Sequence, residues 1–147
     1  MVNADRPNAH LNLGILYTNQ RKWNKAETEY KTSLKLDPAF VQSYINLADL
    51  YRFQNNEEKA EEILRSGLDS IRDNPEIFHS LGLLLVRNKR MPEAINALEK
   101  AARLRPENPR FSYVYAVALN STGQSEKAIA ALKNAHEKYP YNREILY

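Results

Sequence analysis

Cysteine is absent from this chain of 147 residues. That absence excludes disulfide frameworks, thiolate metal sites, covalent haem attachment and cysteine nucleophiles, and it leaves the redox compartment open. Glycine is scarce, at four residues, and no Gly-rich phosphate loop or strained nucleophile elbow can be found. An excess of one charge is missing too. The 21 Lys and Arg stand against 18 Asp and Glu, and a net +3 spread along the chain is far from the dense basic block of a nucleic-acid tail. No apolar run approaches the roughly 20 residues that span a bilayer, and Met1 to Arg6 contain no apolar signal core. These absences lead to the expectation of a soluble chain without a cofactor. The cytoplasm is the favoured compartment, with the periplasm the alternative if the segment comes from a longer exported protein.

What the chain does have is periodic punctuation. Pro38, Pro106 and Pro140 are separated by 68 and 34 residues, and the missing member of the series falls at Arg72. The same beat carries Ala26, Ala60, Ala94 and Ala128, and the small residues Gly14, Ala48, Gly82 and Ala116. It also carries Tyr17, Tyr51, Leu85 and Leu119, and Tyr30, Leu64, Leu98 and Leu132. Four columns with one period define repeats at 7–40, 41–74, 75–108 and 109–142 within a single domain, with 143–147 opening a truncated fifth unit or capping helix.

Each repeat reads as helix, turn, helix. In the first, Leu13, Leu16 and Tyr17 recur at helical spacing, and a second stripe runs through Trp23, Ala26, Tyr30 and Leu34. Pro7, Pro75 and Pro109 stand where first helices begin and Pro92 just after an inner turn, positions at which a missing amide donor is harmless. Asn55-Asn56 and Thr122-Gly123 supply inner turns that tolerate left-handed backbone. The small columns let two helix backbones approach closely, with large residues filling the flanking space.

The succession His10, Leu13, Gly14, Tyr17, Ala26, Tyr30, Pro38 resembles the tetratricopeptide repeat, and the resemblance extends over residues 7–142. The departures are mild. The fourth position reads His10, Tyr44, Phe78 and Ser112 instead of Trp, and Ser112 with Tyr115 makes repeat four the least regular. The resemblance implies an all-α, right-handed superhelical solenoid that binds another protein or a peptide along a concave groove. It places Leu11, Asn12, Ile15, Ile45, Asn46, Asp49, Arg52 and Phe53 on that groove in the first two repeats. In the last two it places His79, Ser80, Leu83, Arg87, Arg110, Tyr113 and Val117 there.

The successive Asn12, Asn46 and Ser80 resemble an asparagine ladder, in which side-chain amides hold an extended peptide backbone. The alternative, that both asparagines cap or solvate their helices, stands beside it. The positions of the family's carboxylate clamp read Leu11, Ile15, Asn46, Glu76 and Ser80; only Asn46 suits it, so an adaptor for acidic chaperone tails is not expected.

Catalysis finds no constellation. His10, His79 and His136 sit in different repeats without metal-site spacing, and Glu57-Glu58 and Glu61-Glu62 suit a helix N-terminus. Single-stranded RNA binding is a rival on the strength of nine tyrosines and of Arg87, Lys89, Arg90, Arg103, Arg105 and Arg110, but these cations fall at opposite ends of a repeat. A self-associating scaffold is the other alternative, a homo-oligomer formed through a C-terminal apolar face of Ile129, Leu132 and Ile145 to Tyr147.

Overall fold

The computed structural model describes residues 5–140. Among them lie eight α-helices and no strand. These are α1 (Pro7–Asn19), α2 (Trp23–Leu36), α3 (Val41–Phe53), α4 (Glu57–Ser70), α5 (Pro75–Arg87), α6 (Met91–Leu104), α7 (Pro109–Ser121) and α8 (Ser125–Lys138). Odd helices begin 34 residues apart, and so do even ones. The segment expected to open a fifth unit, 143–147, lies outside the described residues.

Local chemistry sets the ends. Pro7, Pro75 and Pro109 each stand in the first turn of a helix, as does Pro92 in α6. Asn56, Asn74 and Asn108 cap α4, α5 and α7 by accepting from backbone amides of Lys59, Ile77 and Phe111. All four inner turns pass through one left-handed residue, namely Arg21, Asn55, Lys89 and Gly123. Two of these are long cationic side chains, which a turn signal based on residue type would pass over. Asp73, next to the position where the proline series fails, is also left-handed.

The helices group into two compact units that divide between Arg72 and Asp73. In the first, α1 packs on α2, α2 on α3 and α3 on α4. Gly14 is buried under the Tyr30 ring, which a Cβ at that position would overlap. In the second unit, α5 packs on α6, α6 on α7 and α7 on α8. A Cβ on Gly82 would lie 2.6 Å from Leu98 Cδ2, so this column is small because the neighbouring helix occupies the space. The four alanines from Ala26 to Ala128 are all buried.

The stripe read on the first helix is only partly core. Leu13 and Leu16 are 39% and 50% exposed, whereas Leu47 and Leu50, one repeat later, are fully buried. The difference is the neighbour: α3 lies on α2, and α1 has no preceding helix among the described residues.

Candidate functional site

In the first unit the expected groove residues lie on α1 and α3, one turn apart along each helix. Four of them, Ile15, Asn46, Asp49 and Phe53, line one cavity of about 150 Å³. Thr18, Asn19 and Tyr30 complete its wall. Ile15 and Phe53 give it an apolar lip, with Phe53 56% exposed. The floor is polar: Thr18 Oγ1 donates to the Gly14 carbonyl at 2.8 Å and lies 3.0 Å from Tyr30 Oη. Asn46 Oδ1 accepts from Gln42 Nε2 at 2.7 Å, and the Asn46 side chain also hydrogen-bonds Tyr30.

Burial raises the Tyr30 hydroxyl above its usual range despite these bonds, so it remains a neutral donor. Asp49 lies 3.9 Å from Arg52, whose guanidinium sits 5.8 Å from the centre of the Phe53 ring. Of the remaining expected residues in this unit, Asn12 is exposed, Ile45 is half-buried and Leu11 is buried. Leu11 is therefore a core residue and does not line the cavity.

Sequence reasoning missed Thr18, Asn19 and the hydroxyl of Tyr30. Thr18 and Asn19 stand at the same repeat positions as Arg52 and Phe53, so the positional rule that found the latter pair also points to them. Tyr30 belongs to a packing column, and its ring is buried while its polar tip reaches the cavity.

The second unit carries its expected residues on α5 and α7. Arg87, Arg110, Tyr113 and Val117 are exposed, and Ser80 and Leu83 are half-buried. His79 is only 6% exposed. Its ring stacks on Phe111 with centroids 4.6 Å apart, and neither ring nitrogen has a hydrogen-bond partner. Burial, reinforced by the Arg110 charge, pushes its pKa down to about 4, so the imidazole is neutral and packs as an aromatic ring. Glu76 pairs with Arg105 at 2.6 Å, Arg90 with Glu93 at 2.7 Å and Arg103 with Glu99 at 3.3 Å. Three of the cations that suggested RNA thus have carboxylate partners. Among the described residues, no group of three or more His, Asp or Glu could hold a metal ion, and no helix is long and apolar enough to cross a membrane.

Comparison with known proteins agrees with the helical-repeat fold. Tetratricopeptide repeat family models match residues 20–83 and residues 79–143. The chain belongs to the tetratricopeptide repeat family, and it is a protein-interaction module of that family. The anaphase-promoting complex subunit CDC16 of Saccharomyces cerevisiae is 32% identical over 103 residues, covering 65% of this chain and 12% of CDC16. Among solved structures, MamA superposes with a TM-score of 0.73 at 22% identity, covering 93% of this chain and 80% of that one. YrrB, a tetratricopeptide-repeat protein with an unusual peptide-binding site, superposes with a TM-score of 0.70 at 19% identity over 99% of this chain and 75% of its own. The chain thus spans a small fraction of its curated relative and most of these structural neighbours.

Proposed function

We propose that the first unit binds an extended segment of a partner protein across α1 and α3, with one side chain seated in the cavity between Ile15 and Phe53. The observation that carries this reading is the convergence of Ile15, Asn46, Asp49 and Phe53 on one cavity. An apolar lip over a polar floor suits a side chain whose backbone runs past amide groups. Asn46 already serves two partners inside the chain, so its first role is to fix the Tyr30 hydroxyl, and Asn12, exposed on α1, is the amide that meets the ligand backbone.

Peptides selected on the immobilised chain from a random dodecapeptide library provide the test. Phe53→Ala should weaken them about tenfold, roughly 1.4 kcal/mol, and Asn12→Ala by a smaller factor. Selected peptides indifferent to both substitutions would remove this site.

Self-association is a second reading, favoured by the 53% exposure of Ile129 on α8 together with the open face of Leu13 and Leu16 on α1. Sedimentation of the chain with and without Ile129→Glu tests it; a monomer in both cases defeats it. Of the C-terminal apolar face, Leu132 is half-buried and 145–147 lie outside the described residues.

A further inference from the structure

The second unit contains a cavity of about 280 Å³ among α6, α7 and α8, remote in sequence from the site above. Its position in the repeat identifies what is missing from it. Ser112 lines it at the fourth repeat position, where the first unit has Tyr44 and α5 has Phe78. Tyr44 is buried, and its hydroxyl donates to the carbonyl of Pro38 at 2.7 Å. The counterpart of Pro38 is Pro106, and Pro106 also lines the cavity. Phe78 carries Lys100 above its ring at 5.3 Å; the counterpart of Lys100 is Asn134, a third lining residue. Three independent correspondences therefore place the cavity where the ring of a fourth-position aromatic would lie.

Tyr115, bulkier than the leucines elsewhere in its column, forms part of the wall, and yet the space remains. About 150 Å³ of apolar cavity is enough to admit benzene, so the volume here exceeds what one aromatic ring needs. The floor is buried at Ser112 and Ala135, while Arg103, Asn134 and Lys138 at the rim are exposed, so a ring can enter from solvent.

We propose that this cavity is a receptor for an aromatic side chain, specifically a tyrosine, presented by a partner protein. The repeat geometry supplies the ring's place, and the Pro106 carbonyl stands where the Pro38 carbonyl accepts the hydroxyl of Tyr44. The polar rim of Arg103, Asn134 and Lys138 then meets the partner's backbone. The partner restores in trans the residue that the fourth repeat lacks. This site is independent of the one in the first unit, and a partner could engage either alone.

The test uses p-cresol, the tyrosine side-chain analogue, and 4-methylcyclohexanol, which has similar bulk but no aromatic ring, with binding followed by ligand-observed NMR on the whole chain. The expected result is saturable millimolar binding of p-cresol, weaker binding of the cyclohexanol, and loss of p-cresol binding in Ser112→Phe, which fills the cavity from within. Ala131→Leu, at the cavity wall, should weaken p-cresol several-fold and serves if Ser112→Phe does not fold. Phe53→Ala, which disables the first site, controls for p-cresol taken up there: binding that survives this substitution and is lost in Ser112→Phe belongs to the cavity among α6, α7 and α8. The proposal is overturned if p-cresol fails to bind the wild-type chain, if it binds no better than 4-methylcyclohexanol, or if Ser112→Phe and Ala131→Leu both bind it as wild type does. A Ser112→Phe chain that is merely more stable, with no p-cresol binding by wild type, would show a packing defect and likewise overturn it.

Discussion

The two units share a repeat and differ in what holds their interiors. In the first, hydroxyls reach polar partners: Tyr51 donates to Glu27 at 2.5 Å, Tyr44 to the Pro38 carbonyl at 2.7 Å, and Ser33 and Ser43 lie 2.7 Å apart. In the second, Leu84, Leu85, Leu98 and Leu119 fill the core, and buried His79 has no hydrogen-bond partner. The same columns supply both, since Tyr51 answers to Leu85 and Leu119, and Tyr30 to Leu98. At these two columns the repeat thus calls for a large side chain and leaves its polarity free, provided each buried hydroxyl finds an acceptor.

If the second unit depends on aliphatic packing, its largest single loss should come from a leucine. Leu98 is fully buried, against Tyr115, Ala116, Ala118 and Leu119 of α7 and Ala128 of α8. Leu98→Ala should cost about 2 to 5 kcal/mol, read from urea unfolding followed by circular dichroism. A loss below about 1 kcal/mol, the level of a mild core substitution, would mean that the core can collapse around the gap and the contrast fails.

The next effect sharpens the contrast through pH. The folded pKa of His79 is near 4, below the ordinary value of 6.5, so the unfolded chain takes up a proton at higher pH than the folded one. Its contribution is fully present above pH 6.5 and is lost as pH falls toward 4. A shift of this size corresponds to about 3 kcal/mol at most. His79→Leu should flatten the stability profile in that window; an unchanged slope would show that the imidazole is not buried as a neutral ring.

In the first unit the acid-sensitive group is Glu27. Burial alone would raise its pKa, but the hydrogen bond from Tyr51 and the charges of Lys31 and Lys59 outweigh this and hold it below 4.5. Its contribution is present above pH 4.5 and is lost as pH falls through the lowered value. Tyr51→Phe should cost about 1.5 to 2 kcal/mol at neutral pH, because it removes a hydrogen bond to a charged acceptor. The stability lost on acidification below pH 4.5 should shrink with it. A variant as stable as wild type, with the same acid limb, would refute a polar clamp in this unit.

Much of this was legible in the residues. The 34-residue columns, the prolines at helix starts and Asn55 and Gly123 in the turns are signals in which residue type and backbone need coincide. Arg21 and Lys89 share that left-handed geometry only because of their register, which a reading by residue type cannot see. The exposure of Leu13 and Leu16 was illegible for a different reason: an amphipathic stripe shows which face is apolar, and only a neighbouring helix decides whether it is covered. The burial of His79 depends on Phe111, 32 residues further along. The cavity of the first unit was half legible, since position in the repeat points to Ile15, Asn46, Asp49 and Phe53 but conceals the polar tip of a core tyrosine.

The smallest effect is the most discriminating. Ser33 on α2 and Ser43 on α3 are fully buried and hydrogen-bonded to each other, in the junction between successive repeats of the first unit. Replacing one leaves the other hydroxyl buried without that partner. Ser33→Ala or Ser43→Ala should therefore each cost about 1 kcal/mol, near the lower end of the penalty for an unsatisfied buried group, because a helical serine can turn to the carbonyl one turn back. Replacing both removes donor and acceptor together and trades two small polar groups for methyls of nearly the same shape, so the double variant should lie close to wild type. The signature is a double-mutant cycle in which the two losses fail to add, with a coupling of about 1 to 2 kcal/mol. If the losses add, each hydroxyl is satisfied independently by its own helix, the pair does not tie α2 to α3, and the polar interior of the first unit reduces to its tyrosines.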